Sequence, residues 1–219
     1  MGEVLLTRLY PGTPLAHAFP APSTPPSLAS IDSAFELQEY LALLLRYDTH
    51  AVEELTKLPT GGDGEEVEKW AWVYEQIRRL VEDMNYPLIT RLQEDCTRAG
   101  CPEMRANEWT YLCSAHGSSQ STMGQCCAID YILHTMDHIT ATLNSPKNFP
   151  SRLSIPQTSQ RHLSAIARRL ARVFGHAYFH HREVFEESEV EHSVYARFNA
   201  LVRTYDDILE PEFLMIPST

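Results

Sequence analysis

The chain has 219 residues, 43% of them hydrophobic and 21% charged, and a formal net charge of −11. A chain of this size can bury one core without several crosslinks, and its acidic balance argues against a nucleic-acid binder. There is no phosphate-binding glycine pattern, no apolar run long enough to span a bilayer and no secretory leader, so five cysteines point to a reducing, cytoplasmic setting rather than to a disulfide framework.

Residues 11 to 30 hold Pro11, Pro14, Pro20, Pro22, Pro25 and Pro26. Six prolines among small residues exclude a helix or an internal strand, so residues 1–30 are expected to form an extended, partly disordered arm. A single helical domain is expected from 31 to 219. Asp32 or Ser33 can cap a first helix with Leu37, Tyr40, Leu41, Leu44 and Leu45 on one face. A short helix through Val52 and Leu55 should end near Pro59, and the TGGDGEE stretch at 60–66 reads as a surface loop. From about Val67 to Cys96, apolar residues from Trp70 to Leu92 recur at helical spacing, and Pro87 should bend that long helix.

Residues 96–125 are irregular, with a short ribbon around Trp109, Tyr111 and Leu112 and a polar turn from Gly117 to Gly124. A helix from about Ala128 to Leu143 turns Ile129, Ile132, Leu133, Met136 and Ile139 inward. After a proline-bearing loop at 144–156, another helix starts near Ser159 and carries Leu163, Ile166, Leu170, Val173 and Phe174. One more amphipathic segment begins near Val184 or Val190 and ends near Tyr205, and Phe213, Leu214 and Ile216 can dock the C-terminal segment. The expected class is all-α: a helical bundle with a short β-ribbon and long loops.

Two elements carry metal-ligand chemistry. Cys96-x4-Cys101 lets two thiolates reach one ion, and His176-Ala-Tyr-Phe-His180-His181 supplies imidazoles from a distant segment. Together they make a Cys2His2 set that would staple the two segments with a structural zinc. At about 100° per residue, His176 and His180 share a helix face. His181 can join His176 only if the helix breaks there, so spacing alone favours His180. Cys113, Cys126 and Cys127 have no ligand partner at comparable spacing, and Cys113 reads as a small buried hydrophobe.

Charge is unevenly placed. From His138 to Arg182 there is no acidic residue, while Lys147 and six arginines, among them Arg168, Arg169 and Arg172, contribute +7. The rest of the chain therefore carries −18, since the whole carries −11. Such a segment suits an acidic or phosphorylated peptide, or is a solvated basic face.

These landmarks resemble the Mob family, and within it the phocein branch. The matching stretches are Cys-x4-Cys at 96–101, EWTYLCSAH at 108–116, CAIDYILHTMD at 127–137, LNSPKNFPSRLSI at 143–155 and RRLARVFGHAYFHH at 168–181. The polar turn at 117–125 is longer than usual for the family, and Cys126-Cys127 stands where Cys-Pro is usual. The resemblance implies a zinc-stapled helical fold without enzymatic activity, with Cys96, Cys101, His176 and His181 as the ligands. It implies an adaptor or scaffold in a kinase–phosphatase assembly, with a striatin-like scaffold, protein phosphatase 2A and a Ste20-type protein kinase as partners. It also implies a cytoplasmic location, peripheral at endomembranes only through those partners. Arg168, Arg169 and Arg172 stand where family members hold phosphopeptides. With the core stripe centred on Leu170, Arg168 and Arg172 fall on the opposite face, one turn apart, and Arg169 on its flank. The competing reading is a zinc hydrolase using His176, His180 and His181. It needs an open coordination position and a general base, and H-E-x-x-H is absent although Glu183 and Glu186 follow the histidines.

Overall fold

The computed structural model describes residues 10–14, 24–62, 64–115 and 126–217. Most of the expected arm and the polar turn at 117–125 lie outside the described residues. Leu28 is an exception within the arm: it opens a short turn, Leu28–Ser30, and is buried in the core three residues before the expected domain boundary.

Helix α1, Glu36–Tyr47, buries Leu37, Leu41, Leu44 and Leu45 as its periodicity requires. Of the two expected caps, Ser33 accepts the Phe35 amide on its Oγ at 3.1 Å, one residue ahead of the helix. The helix starts from Phe35, whose own side chain makes no cap bond, and the Ser33 hydroxyl also donates to Glu39 Oε1 at 2.6 Å. After α2, Val52–Thr56, comes α3, Lys69–Met84, whose first amides at Trp70 and Ala71 are accepted by the Glu68 carboxylate. Helix α3 is the centre of the fold. Every residue from Ala71 to Ile77 is buried, because α1, α5, α6 and α8 all pack on it.

The expected long helix is not continuous. Tyr86 adopts an extended conformation (φ −137°, ψ 132°) ahead of Pro87, so a wide turn, Asn85–Ile89, separates α3 from α4, Thr90–Asp95. Proline disfavours the helical region for the residue before it, and here that preference breaks the helix where a bend was expected. The ribbon is the antiparallel pair β1, Met104–Ala106, and β2, Trp109–Tyr111, with Met104 opposite Tyr111. Asn107 turns it at φ 54°, a conformation that asparagine tolerates.

Helix α5, Ala128–Leu143, and helix α6, Gln157–His180, follow. The expected last amphipathic segment is two helices, α7, Arg182–His192, and α8, Val194–Thr204, split at Ser193, where φ is 48°. The turn Pro211–Phe213 and the buried Ile216 bring the C-terminal segment back onto the core.

The FPSRLSI stretch between α5 and α6 is a structural clamp. Phe149 packs on Tyr74 with ring centroids 4.9 Å apart. Arg152 donates to the buried Glu75 carboxylate at 2.6 and 2.8 Å and to Gln38 Oε1 at 2.7 Å, tying the loop to α1 and α3.

Candidate functional site

Cys96 directly follows α4, and Cys101 lies one turn later. That turn is closed by the Cys101 amide on the Thr97 carbonyl and by the Gly100 amide on Thr97 Oγ1. His176 is in the last turns of α6. Helix α6 ends at His180, and His181 leaves helical geometry (φ −139°, ψ 56°) before α7 begins. This break swings His181 to the side of His176 that a continuous helix would deny it. Cys96, Cys101, His176 and His181 therefore each place a ligand atom within 4.8 Å of the other three. His176 Nε2 is 3.4 Å from Cys96 Sγ, and His181 Nε2 is 3.3 Å from Cys101 Sγ. Around a tetrahedral zinc, bonds of about 2.3 Å to sulfur and 2.0–2.1 Å to nitrogen separate the two atoms by roughly 3.5 Å, so the donor set fits such an ion. His180 is left outside the set, stacked on His176 with ring centroids 5.0 Å apart.

The far side of each imidazole selects its tautomer. His176 Nδ1 lies 2.6 Å from the Arg105 carbonyl, and His181 Nδ1 lies 2.7 Å from Asp95 Oδ2. Both partners accept, so both rings donate from Nδ1 and turn the Nε2 lone pair toward the sulfurs. The first contact depends on close backbone approach. A Cβ on Gly175 would sit 3.1 Å from Ala106 Cβ, so the Gly175–Ala106 pair lets α6 lie against β1.

Burial holds His176 down near pKa 4, outweighing its bond to Arg105, so the ring is neutral and ligand-ready. Burial, then the Cys101 and Cys127 thiols, push Cys96 up to about 12, while the Ile129 amide at the start of α5 pulls the other way. A dication supplies what is needed to ionise such a thiol. Asp95 and the Arg105 carbonyl carry no motif of their own. Only the position of Asp95 beside Cys96 could have hinted at its part.

The three arginines are divided. Arg168 is exposed and lies over the Phe213 ring at 5.4 Å; Arg172 is half-buried, lies over Tyr111 at 4.6 Å and donates to the Tyr131 hydroxyl at 3.3 Å. These two share a cleft of about 410 Å3 with Trp109, Tyr111, Glu212, Phe213 and Met215. Trp109 is 68% exposed there, an uncovered aromatic beside two cations. Neither arginine pairs with a carboxylate among the described residues. Arg169 does not line this cleft. It is close to His138 of α5, whose pKa burial lowers and the Arg169 charge lowers further. The aromatic wall comes from the ribbon and the C-terminal turn, which the spacing of the arginines could not reveal.

One reading of the sequence needs correction. Cys113 and Cys126 do have a ligand-type partner: each Sγ is 3.6 Å from Nδ1 of His134 on α5.

The Mob1/phocein family model matches residues 45–214, which span the whole Cys2His2 set and the cleft except Met215. The chain belongs to the Mob1/phocein family. It is 37% identical over 217 residues to a Drosophila melanogaster protein named MOB kinase activator-like 4, covering 99% of this chain and 92% of that protein. It is 35% identical over 195 residues to the Caenorhabditis elegans MOB-like protein phocein, covering 89% and 82%. It is 27% identical over 170 residues to the Schizosaccharomyces pombe maintenance of ploidy protein mob1, covering 77% of each. Membership of the Mob1/phocein family supports a non-catalytic role as adaptor or regulator. No helix among the described residues is long and apolar enough to cross a membrane.

Proposed function

We propose that this Mob1/phocein protein is a non-catalytic adaptor whose structural zinc, held by Cys96, Cys101, His176 and His181, braces a basic cleft for a phosphorylated kinase segment. The observation that carries this reading is the junction at β1. The Arg105 carbonyl that orients His176 belongs to the ribbon whose second strand supplies Trp109 and Tyr111 to the cleft. Two thiolates and two imidazoles fill a tetrahedral zinc, so the ion is a staple, without the open position that a hydrolase requires. The bound zinc supplies folding free energy, while the chain orients both imidazoles through Arg105 and Asp95.

In the cleft, Arg168 and Arg172 offer guanidinium forks that hold a phosphate by charge-assisted bonds, each contributing about 1.5–3 kcal/mol when well formed. Trp109 and Phe213 supply apolar contact for flanking side chains, and Arg169, outside the cleft, adds only long-range positive charge. The name of the Drosophila relative supports a protein kinase as partner. The proposed kinase is of the Ste20 type, held with a striatin-like scaffold and protein phosphatase 2A, in the cytoplasm and at endomembranes only through those partners, as the sequence resemblance to the phocein branch implies.

The test is polarisation binding of paired phosphorylated and unphosphorylated Ste20-type kinase peptides. The parent should prefer the phosphorylated member. Loss of both guanidiniums in R168A/R172A should weaken that binding at least about tenfold, with helicity and zinc content unchanged, and Arg169→Ala should have the smaller effect. Equal binding of both peptides by parent and double variant would show the cleft to be a solvated basic face.

A further inference from the structure

We infer that the chain carries a second metal centre, a zinc site built by Cys113, Cys126 and His134 and separate from the Cys2His2 set. The three ligand atoms lie within 4.8 Å of one another. Cys113 lies two residues past the ribbon, Cys126 lies just before α5, and His134 is on the second turn of α5. Both sulfurs are buried, at 4% and 9% exposure, and the imidazole is half-buried.

Geometry separates this cluster from a chance meeting of thiols. Both sulfurs stand 3.6 Å from one atom, His134 Nδ1. A ring nitrogen has either one lone pair or one hydrogen, so two sulfurs facing it share one three-centre bond that is weak for each. A cation between the three atoms serves all of them. Zinc bonds of about 2.3 Å to sulfur and 2.0–2.1 Å to nitrogen put each S···N pair roughly 3.5 Å apart, close to the observed spacing. Two thiolates and an imidazole are the donor chemistry that selects zinc over magnesium or calcium. Tetrahedral zinc takes a fourth donor as well, which lies outside this assignment.

The site has a mechanical purpose. It would clamp the end of the ribbon to the start of α5. That helix start already meets the first centre, because the Ala128 amide donates to the Cys101 carbonyl at 3.0 Å. A second staple would therefore hold the ribbon, and with it Trp109 and Tyr111 of the cleft, in register with the first.

Metal analysis of the full chain, purified with reductant and passed over a weak chelator, tests this directly. The parent should carry about two equivalents of zinc, and His134→Asn, Cys113→Ser and Cys126→Ser about one each, with helical content kept in His134→Asn. If the cysteine variants fail to fold, the His134→Asn count decides, since its side chain is half-buried and its helix is held by other core residues. One equivalent in both parent and His134→Asn overturns the second centre and leaves the first standing. One in the parent and none in His134→Asn supports the second centre and removes the first. A Cys113–Cys126 disulfide in the intact mass of the reduced preparation would also overturn the proposal.

Discussion

Asp95→Ala removes the carboxylate that orients His181 and leaves all four ligands in place. Its Oδ2 accepts the His181 Nδ1–H at 2.7 Å, and its side chain is 61% exposed, so the substitution opens no core cavity. What is lost is tautomer control: without an acceptor at Nδ1, His181 is free to protonate Nε2 and turn the wrong nitrogen toward Cys101. Losses of such outer partners typically cost 10–100-fold in metal affinity, or about 1.4–2.7 kcal/mol. If zinc binding at the proposed centre is coupled to folding, that difference should appear as stability when free zinc is buffered. For a domain of this size it corresponds to a fall in melting temperature of roughly 3–10 °C. Asp95→Asn keeps an accepting oxygen and should fall between parent and Asp95→Ala. Competition against a chromophoric zinc chelator, with melting in matched zinc buffers, measures both effects. If Asp95→Ala holds zinc as tightly as the parent and melts at the same temperature, the oriented-imidazole account is wrong.

Two further predictions concern the scaffold. Arg152→Ala strands the Glu75 carboxylate, which is 5% exposed and keeps only Arg78 at 3.5 Å, so the cost should be near the lower end of the buried-pair range, about 3 kcal/mol. Denaturant unfolding that gave less than about 1 kcal/mol would show that Arg78 alone satisfies Glu75. Deleting residues 1–26 should leave thermal unfolding nearly unchanged, whereas Leu28→Ala should cost about 2–3 kcal/mol because that side chain is 5% exposed in the core. Equal melting temperatures for Leu28→Ala and the parent would detach Leu28 from the folded unit.

The helices with a clean apolar stripe were legible in the sequence because a 3.6-residue period decides which side chains meet the core. The Leu37 to Leu45 face of α1 and the Leu163 to Phe174 face of α6 are of this kind. Breaks were less legible. Pro87 announced a disturbance, but whether the chain bends or parts depends on Tyr86 moving to extended backbone. No proline or glycine marks Ser193, where the last segment divides. The same limit applied to the metal set. Spacing on an unbroken helix favours His180, and His181 faces the sulfurs only because α6 ends one residue earlier. Contacts between distant segments were not legible at all. Arg152 meets Glu75 across 77 positions, and His134 meets Cys113 across 21, distances over which no local periodicity speaks.

The metal content and coordination of the proposed Cys2His2 centre test its structural role most directly. Zinc-edge X-ray absorption on the His134→Asn protein isolates that centre from the second one proposed above. The expected shell is two sulfurs and two imidazole nitrogens, at about 2.3 Å and 2.0–2.1 Å. A shell with a water oxygen in place of a cysteine sulfur would contradict it, leaving an open position and returning the hydrolase reading.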